Sequence, residues 1–265
     1  METPIGVLRD PVFFQNVKQI KALNQTEAKR IDREAKQVEA RSLVSGDVMT
    51  LPYDYLVLAM GSEPCIPPIS GTDLEGVHTL QGVEDAEALK ATMEGGACHH
   101  VVIIGGGLIA MKSAEAFVSR RCSLGLDCSV TVVEVLPQVL SFLDPEMALL
   151  VQRHLESKGV KVFTGEQVVR IEGENGRATR VVTSALEIAA DLVVVATGVR
   201  PTVKLAQETG LEIGPTGGIA TDLHMCTNDP SIYAVGDCAK TRCLTGPNHC
   251  PPTFPSAPPP TSRVG

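Results

Sequence analysis

Residues 100–134 read HVVIIGGGLIAMKSAEAFVSRRCSLGLDCSVTVVE, and the order of residue types in this stretch decides the fold. Val101-Val102-Ile103-Ile104 is β-branched and apolar at successive positions, as a strand buried on both faces of a parallel sheet requires. Gly105-Gly106-Gly107 follows at once. Gly105 permits a tight turn, Gly107 lets the backbone approach a pyrophosphate, and Ala110 is small enough for the next helix to lie close against the strand. Leu108 and Ile109 open that helix, whose unpaired amides and positive dipole end attract an anion. Glu134 closes a second strand, Ser129–Val133. An acid there can accept from both hydroxyls of an adenosine ribose and repels a 2′-phosphate. A glycine fingerprint alone is weak, but strand, turn, helix, strand and acid occur here in the required order. The stretch predicts a dinucleotide site that favours NAD(H) over NADP(H). The competing reading is a glycine turn that binds nothing. One spacing is loose: Glu134 lies 24 residues beyond Ala110, against about 20 from the glycines usually, and a surface loop inserted over 121–128 is expected to account for it.

The chain has 265 residues, 43% of them hydrophobic, enough for one large core or two smaller ones, with two domains the better expectation. A net charge of −8 with no Lys/Arg cluster argues against a nucleic-acid backbone or an anionic membrane as partner. The opening Met1-Glu2-Thr3-Pro4-Ile5-Gly6 lacks the basic flank and apolar stretch of a signal peptide, and no apolar run approaches spanning length. A soluble cytoplasmic protein is the expectation. The eight cysteines follow no regular framework and read as mostly reduced thiols. With 3% aromatic residues and no tryptophan, the core must be built from Val, Ile, Leu and Ala, which suits a parallel sheet.

Residues 28–60 alternate as a small antiparallel meander, with turns at Arg33-Glu34-Ala35 and Ser45-Gly46-Asp47. Tyr53–Gly61 reads as a buried strand ending on glycine. The crossing from Pro64 to Pro68 reads as a domain boundary, followed by a polar helix near 83–94. Over Asp144–Lys158, Met147, Leu150, Val151, His154 and Leu155 recur at helical spacing, so an amphipathic helix with a packed His154 is expected. A strand at 160–163, a β-rich segment over 167–188 and a buried strand over 191–198 complete an open α/β unit. Ser231–Asp237 is a further apolar strand ending in Gly-Asp. The Pro-rich tail, 247–265, is expected to lack regular structure.

Three strand-plus-glycine segments, with one further loop, together resemble the pyridine nucleotide-disulfide oxidoreductases, in particular the NADH oxidase and coenzyme A-disulfide reductase branch. Tyr53–Ser62, with Gly61, is similar to the family's strand leading from flavin domain to NAD domain. Gly105–Lys112 with Glu134 resembles its NAD fingerprint, and Thr197-Gly198-Val199-Arg200-Pro201 the loop beside the nicotinamide half of the cofactor. Ile232–Ala239 resembles the second flavin motif, in which the family's aspartate, here Asp237 after Gly236, holds the ribityl chain of FAD. Val168 joins the candidate cofactor contacts, and no catalytic residue or metal ligand is assigned. The implied fold is α/β, a Rossmann-like NAD-binding domain (97–226) inserted in a partial FAD-binding domain (1–96 and 227–246). The implied function is hydride transfer from NADH to FAD and on to a disulfide, oxygen or another small-molecule acceptor, the cofactors carrying the redox chemistry. The alternative is an NAD(H)-binding module without redox turnover, a degenerate paralogue or one half of a split flavoenzyme.

The chain departs from the family pattern in two respects. No Gly-x-Gly-x-x-Gly occurs before residue 105, so by resemblance the first flavin fingerprint, the redox-active cysteine helix and the C-terminal interface domain are not among these residues. Weak or no FAD binding by this chain alone is expected, with a second chain as a candidate to complete the flavin domain. Lys112 stands where relatives place an acid, and reads either as a charge reversal beside the hydride path or as a solvated helix lysine.

Cys238 and Cys243 have the spacing of a redox disulfide but follow the second flavin motif, so ordinary thiols are the better reading. Cys98-His99-His100 and His249-Cys250 do not form two paired ligand sets for zinc and read as loop residues.

Overall fold

The computed structural model describes residues 10–95, 98–125 and 127–240. Helix α1 (Pro11–Lys18) is started by Pro11 and by the Asp10 carboxylate, which accepts from the Phe13 amide at 2.7 Å. The meander follows as β1 (Thr26–Asp32), β2 (Gln37–Ser42) and β3 (Val48–Pro52), an antiparallel sheet with Ile31 opposite Val38 and Val38 opposite Leu51. Strand β4 (Leu56–Leu58) is shorter than the buried strand expected over 53–61. Strand side chains alternate between faces: Leu56 and Leu58 pack inward, whereas Tyr55 is 71% and Val57 57% exposed.

The next elements are β5 (Ser62–Pro64), β6 (Val77–Thr79), α2 (Val83–Glu94), β7 (His100–Ile104), α3 (Leu108–Leu124), β8 (Ser129–Glu134), α4 (Pro145–Ser157) and β9 (Val160–Thr164). After them come β10 (Val168–Glu174), β11 (Arg177–Thr183), β12 (Glu187–Ala189), β13 (Leu192–Val195) and β14 (Val199–Pro201). Five strands form a parallel sheet in the order β6-β13-β7-β8-β9. Its successive apolar residues divide between the two faces. Val101, Ile103, Val130, Val132, Leu192 and Val194 pack with Leu89 and Met93 of α2, Ala110 and Phe117 of α3 and Leu155 of α4. On the other face Val102, Ile104, Val133, Val193 and Val195 pack with Val168, Ile171, Ala178 and Val181 of the antiparallel sheet β10-β11-β12. Each such aliphatic side chain contributes about 1.5–3 kcal/mol on full burial, so the uninterrupted Val/Ile runs are what make this central sheet.

Two helix expectations are corrected. Residues 121–124 belong to α3, which ends only at Gly125 in the left-handed conformation. The extra spacing before Glu134 is thus another helical turn rather than a loop over 121–128, and Arg121 secures it by donating to the carbonyls of Cys128 (2.9 Å) and Lys158 (2.6 Å). On α4 the core face is carried by Ala148, half-buried Val151 and Leu155, while His154 is exposed and Met147 and Leu150 are 54% and 60% exposed. The pattern 147/150/154 has the same period as 148/151/155, and small Ala148 is the residue that marks the packed side.

The chain then adds α5 (Lys204–Glu208), β15 (Ile219–Ala220), β16 (Ile232–Ala234), a 3-10 turn at Gly236–Cys238 and β17 (Ala239–Lys240). Strand β16 pairs in parallel with β4. Two compact units result. One is Ser62–Arg200 and the other joins the described residues up to Gly61 with those from Pro201 onward. These limits differ from the 97 and 226 expected of the cofactor domains. Strand β6 and helix α2 build the parallel sheet and its cover, whereas Ala206, Leu211 and Ile219 share a core with Ile31, Leu58, Ile232 and Ala234. The architecture is α/β with a parallel central sheet. Among the described residues no helix is long and apolar enough to cross a membrane. Met1–Gly6, Cys243, His249, Cys250 and the Pro-rich tail lie outside the described residues.

Candidate functional site

The glycine turn sits at the carboxyl end of β7, in the middle of the parallel sheet, where open α/β folds bind ligands. Gly105 has φ +112°, and a Cβ there would run into the Ala196 carbonyl of β13's continuation, so only glycine lets the chain leave the sheet here. Its amide donates to the Val133 carbonyl at 2.8 Å. At Gly106 a Cβ would meet Glu134 Cγ and Oε2 at 2.8 Å. Gly107 is different: its φ is −77°, and a Cβ there would find nothing within 4 Å. The open space at that position is what a pyrophosphate needs to approach the backbone.

Gly107 is the N-cap of α3 and offers no side-chain cap. The leading amides of α3, at Leu108, Ile109 and Ala110, have no acceptor within their own helix. Leu108 and Ile109 are 57% and 41% exposed, while Ala110 is fully buried against the sheet, the small contact its position requires. The loop after β8 closes on the turn through the Leu140 amide, which donates to the Gly106 carbonyl at 2.8 Å.

Glu134 ends β8 beside this turn and is 8% exposed. Its Oε2 accepts from the Gly106 amide and its Oε1 from the Leu136 amide at 2.7 Å. The acid expected to read a ribose therefore also fastens the glycine loop to the segment beyond β8. Sequence order placed Glu134 at the site but held no sign of this second bond.

The remaining candidates are dispersed. Lys112 projects from α3 with its side chain 74% exposed and pairs with Glu115 at 2.8 Å. This bond and the lysine's charge hold the Glu115 carboxyl below its ordinary value. Val168 opens β10 and is buried in the core on the far face of the sheet. Gly198, at φ +115°, accepts from the Cys65 amide at 2.9 Å, and Thr197 Oγ1 donates to the Cys65 carbonyl at 2.5 Å.

In the other unit, β4 and β16 run parallel and lead into Gly61 and Gly236 respectively, with the Val235 amide donating to the Leu58 carbonyl at 2.9 Å. Gly61, Gly236 and exposed Asp237 thus stand at the carboxyl end of one strand pair. Arg33 braces the approach to β16: it meets Asp229 at 2.7 Å and donates to the Gly210 carbonyl at 3.2 Å. The Arg33 bond holds the Asp229 carboxyl below its ordinary value. The buried Tyr53 hydroxyl is pushed up, chiefly by burial and then by Asp229.

Cys98, His99 and His100 precede or begin β7. His99 and His100 donate their amides to Asp191 Oδ2 at 2.8 and 2.9 Å, and His100 Nδ1 lies 3.0 Å from Ser129 Oγ. Among the described residues no group of three or more His, Cys, Asp or Glu is arranged to hold a metal ion.

Comparison with known proteins shows the family. A family profile described as pyridine nucleotide-disulphide oxidoreductase matches residues 5–255. An NADH oxidase of Methanocaldococcus jannaschii is 37% identical over 235 residues, which cover 88% of this chain and 50% of that protein. A CoA-dependent NAD(P)H sulfur oxidoreductase of Pyrococcus abyssi is 41% identical over 192 residues, 72% of this chain and 41% of that protein. Among solved structures, an NAD-dependent persulfide reductase from A. fulgidus superposes with a TM-score of 0.85 at 43% identity, covering 92% of this chain and 43% of the other. The chain spans half or less of the length of these relatives.

Proposed function

This chain belongs to the pyridine nucleotide-disulphide oxidoreductase family, and on that premise we propose that it forms the NAD(H)-binding part, with a portion of the flavin-binding part, of an oxidoreductase that passes hydride from NADH to FAD and on to a disulfide, oxygen or another acceptor. The observation that carries the reading is the open cradle at Gly107. Backbone amides of α3 face it, no atom of the described residues lies within 4 Å of a Cβ built there, and Glu134 stands beside the turn. The residues present fit a dinucleotide. Leu108, Ile109 and Ala110 would hold the pyrophosphate through their amides, Ala110 would keep the helix close, and Glu134 would face the adenosine ribose and disfavour a 2′-phosphate. Gly198 would border the nicotinamide end.

For FAD, the residues that fit are Gly61, Gly236 and Asp237 at the end of the β4–β16 pair, with Asp237 toward the ribityl chain. Bound flavin would supply the electron-carrying step. The chain's own contribution is orientation of the two cofactors and exclusion of NADPH. The relatives' acceptors differ, oxygen-linked in the name NADH oxidase and sulfur-linked in the name sulfur oxidoreductase, so the acceptor is set outside the residues assigned here.

The test is an absorbance spectrum of the protein after incubation with FAD and desalting, followed by anaerobic NADH. A retained yellow chromophore bleached by NADH supports the oxidoreductase. A colourless protein that still perturbs NADH fluorescence supports an NAD(H)-binding module that needs another chain for its flavin. Absence of both signals overturns the proposal.

A further inference from the structure

Two buried thiols lie together at the end of the parallel sheet remote from the glycine cradle. Strands β7 and β8 run parallel with His100 opposite Ser129, and the Ser129 amide donates to the His99 carbonyl at 2.8 Å. That register sets His99 opposite Cys128, so Cys98, one residue further out, is the diagonal neighbour of Cys128 ahead of the two strands. Neighbouring and diagonal positions of adjacent strands bring Cα atoms to about 5–6 Å, within the span a disulfide accepts. Both side chains are in one core cluster, 4% and 3% exposed, and they share a hydrogen bond.

The pair is asymmetric. The interaction with Cys128, followed by burial, pushes the Cys98 thiol up. That same bond holds Cys128 down to about 7, against burial and with help from the Arg121 guanidinium. Arg121 is itself fixed by its bonds to the Cys128 and Lys158 carbonyls at 2.9 and 2.6 Å. A sulfur that ionises readily beside one that stays protonated is the arrangement of an attacking and a resolving thiol.

We propose that Cys98 and Cys128 are an oxidation site at which a hydroperoxide forms a reversible disulfide between β7 and β8. The Cys128 thiolate attacks the terminal peroxide oxygen, the O–O bond breaks, and the departing hydroxide or alkoxide takes up a proton. Cys98 sulfur then attacks the resulting sulfenic acid, the S–O bond breaks, and water leaves with the Cys98 proton. Two thiols are oxidised by two electrons and one peroxide is reduced. A hydroperoxide near the size of water suits two sulfurs this buried, where a peptide disulfide is too large.

The experiment treats the full chain with hydrogen peroxide, quenches it, unfolds and alkylates it, and maps the peptides by mass spectrometry. The expected product is a Cys98–Cys128 cross-linked peptide, lighter by about 2 Da than the reduced pair and restored by dithiothreitol. In Cys98→Ala, which removes the bond that holds Cys128 down, Cys128 is expected to resist peroxide and to remain open to alkylation after unfolding. The wild-type map decides the matter even if that variant fails to fold. Full alkylation of Cys98 and Cys128 while exposed Cys122 is oxidised overturns the proposal, as does a cross-link from either residue to a different cysteine.

Discussion

Replacing Glu134 tests the site most directly, because one carboxylate is assigned two separable roles. It is 8% exposed and accepts from the Gly106 and Leu136 amides. Hydrogen bonds to a charged partner are worth about 1.5–3 kcal/mol each. Glu134→Ala strands both amides, although water entering the vacated space can recover part of the loss. A destabilisation of about 3 kcal/mol follows from two such bonds at the low end of their range, or roughly 6–12 °C in Tm for a chain of this size. In Glu134→Gln one oxygen remains an acceptor and the NH2 group faces an amide donor, so about half the loss is expected. Lost ribose contacts should weaken NADH binding about 10- to 100-fold in Glu134→Ala, and the preference over NADPH should shrink. Thermal melts followed by circular dichroism report the first role. Fluorescence titrations with NADH and NADPH, well below the melting range, report the second. A Tm within about 2 °C of wild type, too small for two such bonds, would refute the loop-fastening role; unchanged NADH affinity would refute the ribose role.

Gly107→Ala should fold normally, since its φ of −77° suits alanine and its Cβ meets nothing within 4 Å among the described residues. It should nonetheless lose at least about tenfold in NADH affinity by intruding on the phosphate approach, and unaltered titration would sink that reading. Gly105→Ala should instead be lost as a fold defect, seen as low soluble yield or an early melt, because its φ of +112° and the Ala196 carbonyl leave no room for a side chain. Asp229 has its carboxyl depressed first by the Arg33 hydrogen bond, so its stabilising contribution is present above the unfolded carboxylate pKa and is lost as pH falls through the lower folded value. Tm measured from pH 7 to pH 3 should therefore fall less steeply in Arg33→Ala than in wild type at the acid end; parallel curves would contradict the pairing. Lys112→Ala should change Tm by less than about 1 °C, because an exposed i,i+3 pair is worth only a few tenths of a kcal/mol.

The parallel sheet was legible because its strands are apolar on consecutive residues, and the cradle because three glycines separate such a strand from a helix. The helices were less so. Two stripes of equal period coexist on α4, and no count of large apolar residues reveals that Ala148 marks the packed one. The loop expected over 121–128 rested on the spacing to Glu134 alone, which does not show that the carbonyls of Cys128 and Lys158 hold Arg121 in a longer helix. The bond between Glu134 and Gly106 joins residues 28 apart, and the Cys98–Cys128 contact depends on strand register. A signal for that contact does exist in the chain: Cys128 directly precedes β8, Cys98 lies two residues ahead of the first residue of β7, and adjacent parallel strands begin side by side.

The unit Ser62–Arg200 begins and ends on one small ribbon. Strands β5 and β14 pair, Arg200 meets Glu63 at 2.7 Å, and the Cys65 amide reaches the Gly198 carbonyl. A segment whose two ends meet can be lifted out of one gene and set into a surface turn of another without stretching either host or guest. The glycine cradle is in that sense portable cargo. Its ends could also be joined by a short linker and new termini opened elsewhere, giving a permuted protein that keeps the glycine turn, Glu134 and the five-stranded sheet intact.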